Sequence, residues 1–273
     1  MPDVIPGNLY DYPKYYDLVF GSDWKAEFDF LEGVFAKHAA LPKRAKVRRL
    51  LEPACGTGRL MYRFGKAGYT VAGNDLNAKA VKFCNARLKR HGLKESAVVG
   101  DMSDFSVKDF GPRTKPFDAA FNTINSFRHL PSEAAAEGHL RCVAEALRPG
   151  GLYVLGLHLT PARGKPECDA ESWAARRGDL SVISHMWSDG IDRRRRVETV
   201  GMSFDVYTPT RSFRLVDQTP FRTYTARQMA DLIERTGAWD VAAVYDFAYD
   251  LDEPVEIEAT TEDVVYLLRK RGS

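Results

Sequence analysis

Three acidic residues each follow a short apolar run, and the first of them precedes a glycine-containing turn. Glu52 precedes Gly56 and Gly58, Asp75 comes nineteen residues after Gly56, and Asp101 follows a third run. Such apolar runs are typical of buried strands, and glycine lets a ligand approach the backbone because it has no Cβ. A carboxylate at the position of Asp75 can accept hydrogen bonds from both hydroxyls of a ribose. The pattern predicts a binding site for an adenosine-containing cofactor.

The residues around this turn favour one class of cofactor over another. A dinucleotide fingerprint has a third small residue where this chain has Met61. Glu52 suits a cationic ligand better than a pyrophosphate, and methionine-derived cofactors carry an amino group and a sulfonium. Asp101 can accept a hydrogen bond from an adenine amino group while Met102 packs on the ring. A nicotinamide-dependent oxidoreductase is therefore disfavoured.

Together, E-P-A-C-G-T-G at residues 52–58, Asp75 and G-D-M at residues 100–102 resemble the signature of class I S-adenosylmethionine-dependent methyltransferases. The resemblance implies S-adenosylmethionine as the cofactor and methyl transfer as the activity. It assigns to the cofactor Tyr16, Glu52, Ala54, Gly56, Thr57, Gly58, Asp75, Leu76, Asp101, Met102 and Asn122.

Alternating strand and helix patterns indicate an α/β fold with a doubly wound, seven-stranded, mostly parallel sheet. The last two strands are joined by the acidic loop Asp250 to Asp263, and they could pair antiparallel. The resemblance implies this reversal of the final strand. Helix N-caps are predicted at Asn77, Ser132 and Thr225, the last with a capping box to Gln228. The seven predicted strands are about 47–52, 70–75, 96–100, 117–122, 152–158, 239–247 and 263–270.

The helical period disappears between Pro161 and Thr225, where apolar and polar residues alternate instead. This alternation is typical of half-buried antiparallel strands, predicted near 180–187, 200–206 and 213–216. The chain is therefore divided into a cofactor-binding domain, residues 1–160 and 225–273, and an inserted antiparallel β-subdomain, residues 161–224. An inserted sheet of this kind is similar to those of sugar-amine and glycine N-methyltransferases, where it implies a lid or substrate wall.

Two histidines at strand ends are candidates for catalysis. Methyl transfer needs collinear reacting atoms, and it needs a base only if the nucleophile arrives protonated. His129 lies in the loop after the fourth strand and resembles a histidine of sugar N-methyltransferases, although it could instead cap the next helix or lie exposed. His158 ends the fifth strand, where it could face the ligand crevice or be structural.

The segment from Leu9 to Asp17 is rich in tyrosine. It resembles the tyrosine-aspartate segment that folds over the cofactor in this family, and Tyr16 with Asp17 matches that pair best. The resemblance implies that Tyr16 contacts the cofactor or the acceptor, so Tyr16 is a third catalytic candidate beside His129 and His158. The alternative is aromatic packing of a helical arm with Trp24 and Phe28.

Three further features could contribute to substrate binding, and each has a simpler interpretation. The basic run Arg193 to Arg196 could bind an anionic substrate or could be a solvated strand end flanked by Asp192 and Glu198. Trp173 and Trp187 could line the acceptor site or could form the core of the inserted sheet.

Composition limits the remaining possibilities. A chain of 273 residues with 44% hydrophobic residues and net charge +2 has no global preference for nucleic acid. It has no apolar stretch near the ~20 residues that span a bilayer, and residues 1–6 do not suggest a secretory signal. The four cysteines lack metal-site spacing. We therefore expect a cytoplasmic protein with reduced thiols, no bound metal and no membrane partner.

The leading hypothesis is a methyltransferase that acts on the nitrogen or oxygen of a small-molecule acceptor. A protein or nucleic-acid methyltransferase is an alternative, although N-T-I-N at residues 122–125 lacks the N/D-P-P-Y pattern of base-methylating enzymes. A protein that binds the cofactor without catalysis is another. The acceptor's identity and the oligomeric state stay open.

Overall fold

The computed structural model describes residues 3–22, 24–163 and 170–272. Their strands form one seven-stranded and one five-stranded sheet. The strands are β1 (Asp3–Pro6), β2 (Arg49–Pro53), β3 (Thr70–Asp75), β4 (Ala97–Val99), β5 (Phe117–Asn122), β6 (Leu147–His158), β7 (Glu171–Arg177), β8 (Leu180–Asp192), β9 (Val197–Tyr207), β10 (Ser212–Arg222), β11 (Trp239–Tyr245) and β12 (Asp263–Lys270).

The described helices pack mainly on the two faces of the large sheet. No helix within the described ranges is long and apolar enough to cross a membrane. Short 3₁₀ helices lie at Leu9–Asp11 and Ser126–His129. The α-helices are α1 (Pro13–Phe20), α2 (Lys25–His38), α3 (Met61–Lys66), α4 (Ala78–Arg90), α5 (Glu133–Ala146) and α6 (Ala226–Thr236).

The large sheet has the order β11-β12-β6-β5-β2-β3-β4. Its pairs are parallel except those of β12, which runs antiparallel to both β6 and β11. The predicted seven-stranded, mostly parallel sheet with a reversed last strand is therefore confirmed. β6 begins at Leu147 rather than near residue 152, because Leu147 already pairs with Phe117.

Helix ends follow the predicted capping residues. The Asn77 side chain accepts hydrogen bonds from the backbone N–H groups of Lys79 and Ala80. Thr225 and Gln228 form the reciprocal capping box of α6, which ends at Gly237 in the left-handed region, with φ 67°. Ser132 caps α5 in the same way as Asn77 caps α4. These local signals determine where each of these helices begins.

The small sheet has the order β1-β10-β9-β8-β7. Its strands β8, β9 and β10 confirm the predicted antiparallel insertion, and they extend beyond the predicted ranges. Two strands were not predicted: β7, and β1, which pairs parallel to β10. Residues 3–6 thus lie in the small sheet, although the predicted boundaries assign them to the other domain.

One face of the small sheet covers the N-terminal segment. Apolar side chains of β8, β9 and β10 form a buried cluster with α1 and the 3₁₀ helix before it. The core of this cluster is Leu9, Leu18, Val19, Val182, Phe204, Val206, Phe213 and Leu215. The arm formed by residues 8–20 is therefore held by the inserted sheet.

Ion pairs connect the small sheet to the rest of the molecule. Arg128 pairs with Glu198 at 2.5 Å, and Arg196 pairs with Glu133 at 2.6 Å. The Arg196 side chain also donates to the carbonyl of Thr223. At the end of the basic run, Arg196 therefore faces the protein, and Glu198 is the partner of Arg128.

The described cysteines form no disulfide bond. Cys55, Cys84 and Cys142 are free thiols, and Cys168 lies outside the described residues. Within the described ranges, no group of three or more His, Cys, Asp or Glu side chains is arranged to hold a metal ion.

Candidate cofactor and acceptor site

The strands that precede the three acidic residues are neighbours in the large sheet. Glu52 pairs with Gly73 across β2 and β3, and Asp75 pairs with Val99 across β3 and β4. Asp101 lies two residues after the end of β4. Because these strands are parallel, their carboxyl ends meet at one edge, where open α/β sheets bind ligands. The structure brings Glu52, Asp75 and Asp101 to this edge.

The Asp75 carboxylate is fixed beside the glycine turn. Its Oδ2 accepts a hydrogen bond from the Gly56 N–H at 2.8 Å, and its Oδ1 accepts one from the Asn77 N–H at 2.8 Å. Burial raises the pKa of Asp75, and these two backbone donors oppose that shift. Each oxygen keeps a further lone pair, so the carboxylate can still accept from two hydroxyls.

The turn after β2 has three residues with positive φ: Ala54 at 52°, Gly56 at 52° and Gly58 at 65°. A Cβ on Gly56 would meet nothing within 4 Å, whereas one on Gly58 would lie 2.3 Å from the Cys84 sulfur. Gly56 therefore leaves the backbone open to a ligand, and Gly58 allows α4 to pack closely. Thr57 faces the N-terminal arm, where its hydroxyl donates to Asp17 at 3.1 Å.

The Glu52 side chain is buried, and its Oε2 atom has no hydrogen-bond partner among the described residues. Burial raises the pKa of this carboxyl well above its ordinary value, while nearby Arg59 and the backbone N–H of Met61 oppose the shift. An unsatisfied buried carboxylate oxygen is costly unless a partner reaches it. The position fits a ligand that carries a cationic amino group.

Asp101 forms a tight turn at the end of β4. Its Oδ1 accepts from the backbone N–H of Ser103 at 2.7 Å and from the Ser103 hydroxyl at 2.8 Å. The side chain of Asn74 donates to the Asp101 carbonyl at 3.1 Å. Asp101 is exposed, so its carboxylate is accessible to an adenine amino group.

The sequence did not reveal the group that holds Met102. The His139 ring donates from Nδ1 to the Met102 carbonyl at 2.8 Å, and Nε2 accepts from the Tyr153 hydroxyl at 2.6 Å. Burial lowers the pKa of His139 to about 4, so the ring is neutral. Met102 itself is buried in the core. No spacing rule connects a histidine on α5 with this turn.

Leu76 and Asn122 lie at the same sheet edge but have different surroundings. Leu76 follows Asp75 and is 70% exposed, so it offers an apolar surface beside the ribose position. Asn122 is buried, and its side-chain NH₂ donates to the Pro53 carbonyl at 2.9 Å. Its Oδ1 atom has no partner among the described residues. Asn122 therefore joins the end of β5 to the glycine turn.

The N-terminal arm lies across this edge and is attached to α4. Asp11 accepts from the Asn77 side chain at 2.8 Å and from the Lys79 ammonium at 3.0 Å. Asp17 is buried and forms an ion pair with Arg87. Charged contacts at both ends thus hold the arm over the cofactor edge.

Tyr16 lies on the buried side of the arm. Its ring centroid is 4.5 Å from that of Phe20, 5.2 Å from that of Tyr10 and 6.5 Å from that of Phe204. Burial raises the pKa of Tyr16 to about 12, with Asp75 adding to the shift. The aromatic partners of Tyr16 are therefore in the arm and the small sheet, rather than the alternative pair Trp24 and Phe28.

His129 is hydrogen-bonded to Tyr10, which was not among the site residues predicted from the sequence. Its Nε2 atom lies 3.0 Å from the Tyr10 hydroxyl, and its ring packs on Phe221 at 4.6 Å between centroids. Burial, followed by the charge of Arg128, lowers the pKa of His129 to about 4. The imidazole is therefore neutral at physiological pH. The tyrosine-rich composition of residues 9–17 was the available signal for Tyr10.

His158 has a separate set of contacts. Its ring forms a short contact with Asp263, packs on Phe247 at 5.1 Å between centroids, and its backbone N–H donates to Asn125 at 2.8 Å. These partners belong to the C-terminal loop and strand and to the loop after β5. They favour the structural interpretation of His158.

The two candidate tryptophans contact different parts of the small sheet. Trp173 packs edge-on against Phe20 at 5.4 Å between centroids, so it covers the N-terminal arm. Trp187 packs over Gly201 and donates from its ring nitrogen to Asp189 at 2.9 Å. Trp187 therefore packs within the inserted sheet, as the simpler interpretation predicts, whereas Trp173 packs on the arm.

Comparison with known proteins is consistent with this geometry. Residues 50–151 match the family described as "Methyltransferase domain". The chain is 31% identical over 115 residues to rat glycine N-methyltransferase, covering 39% of each chain. It is 26% identical over 196 residues to the dTDP-3-amino-3,4,6-trideoxy-alpha-D-glucopyranose N,N-dimethyltransferase of Streptomyces venezuelae, covering 68% of this chain and 74% of that one.

A solved structure shows the same fold over almost the whole chain. The S-adenosylmethionine-dependent methyltransferase from Clostridium acetobutylicum superposes with a TM-score of 0.74 at 17% identity, covering 97% of this chain and 100% of that one. The matched domain and this fold support S-adenosylmethionine as the cofactor.

Proposed function

We propose that this chain is an S-adenosylmethionine-dependent methyltransferase that methylates a nitrogen atom of a small-molecule amine, a proposal supported by the methyltransferase-domain match of residues 50–151 and by the fold. The observation that carries the proposal is the contact between the His129 ring and Tyr10, which joins the cofactor edge to the small sheet. Tyr10 also packs on Tyr16, whose hydroxyl lies in the field of Asp75. The named activities of the two curated relatives, both N-methyltransferases, favour nitrogen over oxygen.

The cofactor side of the proposed site consists of residues at the strand ends. Glu52 would pair with the amino group, Asp75 would bind the ribose hydroxyls, and Asp101 would accept from adenine. The exposed Leu76 and the buried Met102 would provide apolar surface. When bound, S-adenosylmethionine supplies a methyl group on a sulfonium, which makes the methyl carbon electrophilic.

On the acceptor side, His129 orients the nucleophile and does not remove a full proton from it. Moving a proton from an alkylammonium of pKa ~10 to an imidazole of pKa about 4 would cost roughly 8 kcal/mol. Such an acceptor therefore loses its proton to water before methyl transfer. The neutral His129 ring, the Tyr10 hydroxyl and Tyr16 then hold the amine in line, and the arm excludes water.

The experiment that tests this function is transfer of radiolabelled methyl from S-adenosylmethionine to matched amines and alcohols. Cyclohexylamine, cyclohexanol, glucosamine and glucose are suitable probes, and calorimetry measures cofactor affinity in parallel. We expect label on the amines. Tight binding of S-adenosylmethionine with no transfer to any probe would contradict the proposal and favour a non-catalytic binding protein.

A further inference from the structure

The face of the small sheet that covers the arm continues beyond it as the wall of a narrow cleft. Side chains alternate along a strand, so Asp217, Thr219 and Phe221 of β10 share a face with the buried Phe213 and Leu215. Met202 and Val200 of β9 lie opposite Asp217 and Thr219 in the register. Together with Leu9 and Tyr10, these side chains line the cleft, whose volume of about 10 Å³ has room for one water molecule or one amino group.

This cleft lies beside His129. Phe221 forms one of its walls and also packs on the His129 ring. Tyr10 forms another wall and contacts His129 Nε2. A molecule in the cleft is therefore next to the pair that orients the nucleophile.

Asp217 is the charged residue of the cleft. Its Oδ2 accepts a hydrogen bond from the Leu9 N–H at 3.0 Å, and its charge contributes to the raised pKa of Tyr10. The other described residues that line the cleft carry no positive charge, and no ion pair to Asp217 occurs within the described ranges. Its carboxylate can thus accept from a ligand without first breaking an ion pair.

Asp205, a second aspartate on the same sheet, already has charged partners. Asp205 lies on the opposite face, where both its oxygens accept from Arg214 at 2.6 Å and His185 lies 3.3 Å away. These partners already satisfy its charge. Asp217 has a single backbone donor and otherwise apolar or uncharged neighbours.

We propose that Asp217 is the specificity-determining residue that binds the acceptor's amine nitrogen and selects amines over alcohols. This inference rests on the proposed function. Val200, Met202 and Phe221 would surround the amino group, and the carbon skeleton of the acceptor would extend out of the cleft. A primary amine, whose nitrogen is small enough to enter this space, is the ligand class that fits.

The charge changes during transfer explain why a carboxylate is useful here. The amine lone pair forms the new N–C bond as the C–S bond breaks, and the sulfur keeps that electron pair as a thioether. The positive charge passes from sulfur to nitrogen, which becomes a methylammonium. Asp217 faces this developing charge, and the extra proton leaves to water as the product departs. An alcohol has no stable counterpart to this cationic product.

The Asp217→Asn variant tests the inference, because asparagine can still accept from the Leu9 N–H but has no charge. Asp205→Asn is the matched control on the other face. We expect Asp217→Asn to raise the KM for cyclohexylamine and glucosamine by about tenfold or more, as loss of one charged contact predicts. The Kd for S-adenosylmethionine and the Tm should stay within about twofold and ~2 °C of the parent values. Asp205→Asn should leave the KM for the amines unchanged.

The outcomes separate this inference from the function on which it rests. Amine methylation that is unaffected by Asp217→Asn, or equal transfer to cyclohexanol, would overturn the role of Asp217 and leave the methyltransferase function standing. A lower Tm with an unchanged KM would assign Asp217 only to holding the arm, which also overturns it. Cofactor binding without transfer to any probe would overturn both proposals.

Discussion

The cofactor edge of the large sheet and the cleft face of the small sheet differ in how their carboxylates are positioned. Asp75 is held by backbone donors only 2 and 19 residues away in the chain. Asp217, by contrast, is held by the Leu9 N–H, which is 208 residues away. The first arrangement is local to strand ends and their turns, and the second needs the arm and the inserted sheet to meet. The proposed acceptor side therefore depends on long-range contacts that the proposed cofactor side does not need.

The N-terminal arm is the part that connects these two regions. Its Asp11 and Asp17 bond to α4 at the cofactor edge, and its Leu9 and Tyr10 bond to the small sheet and to His129. Movement of the arm would disturb both halves of the site together. A substitution at the cofactor edge should instead change mainly cofactor binding. A substitution on the small sheet should change mainly turnover of the acceptor.

The largest effect is expected at Asp75. Asp75→Ala removes the acceptor for two ribose hydroxyls, which should weaken S-adenosylmethionine binding by about 100-fold, or ~3 kcal/mol. Calorimetric titration measures the Kd directly, and Asp104→Ala, an exposed aspartate near the same edge, is the control. An affinity within about twofold of the parent, less than ~0.5 kcal/mol, would show that Asp75 does not bind the ribose.

Glu52 should make cofactor binding depend on pH. Its pKa is raised by burial, so the carboxyl becomes protonated as the pH falls through a range above its ordinary value. A cationic amino group binds the ionised form, and affinity for S-adenosylmethionine should therefore decrease from pH 7.5 to pH 5. Glu52→Gln should remove this slope and lower the affinity at pH 7.5 by about tenfold.

The control for Glu52 is Glu95→Gln, because Glu95 is exposed and pairs with Lys89 on the surface. That variant should keep the pH slope of the parent. If Glu52→Gln keeps the same slope, another group causes the pH dependence of cofactor affinity. Glu52 would then not be the residue that pairs with the amino group.

The smallest of these effects concerns His129 on the acceptor side. His129→Ala should lower kcat by about fivefold, the value of one hydrogen bond, and leave the Kd for S-adenosylmethionine unchanged. Tyr10→Phe should have a similar effect, and the double variant should be no worse than either, because both remove one contact. Single-turnover kinetics with the best amine measures the chemical step.

Two results would change this view of His129. A loss of about 100-fold or more would restore full proton removal as its role. An unchanged chemical step would exclude His129 from the acceptor site. In either case the Kd for S-adenosylmethionine, measured in the same variants, shows whether the effect is confined to the acceptor side.

Most of the large sheet could be predicted from the sequence because its signals are local. The caps at Asn77, Ser132 and Thr225 each involve hydrogen bonds across two or three residues, and all three are confirmed. The small sheet was predicted only in part. β1 lies far from β10 in the chain, and four residues at the N-terminus carry too little pattern to reveal a distant partner.

The same difference applies to the candidate site. Glu52 and Asp75 could be placed at one edge because parallel strands end together, although the missing partner of Glu52 Oε2 was visible only in the structure. Tyr10 and Asp217 were not selected, since their partners lie more than 100 residues away. Burial also changed the chemistry of His129, whose pKa of about 4 depends on its surroundings in the fold.

The sequence by itself determined the strands of the large sheet, the glycine turn and the acidic residues at the strand ends, because these depend on periodicity and on contacts between near neighbours. The tertiary structure alone decided which tyrosine contacts His129 and that Asp217 accepts from the Leu9 N–H of the arm. Those outcomes depend on strand register, on the path of the arm and on burial, which changes the free energy of a charge according to its surroundings.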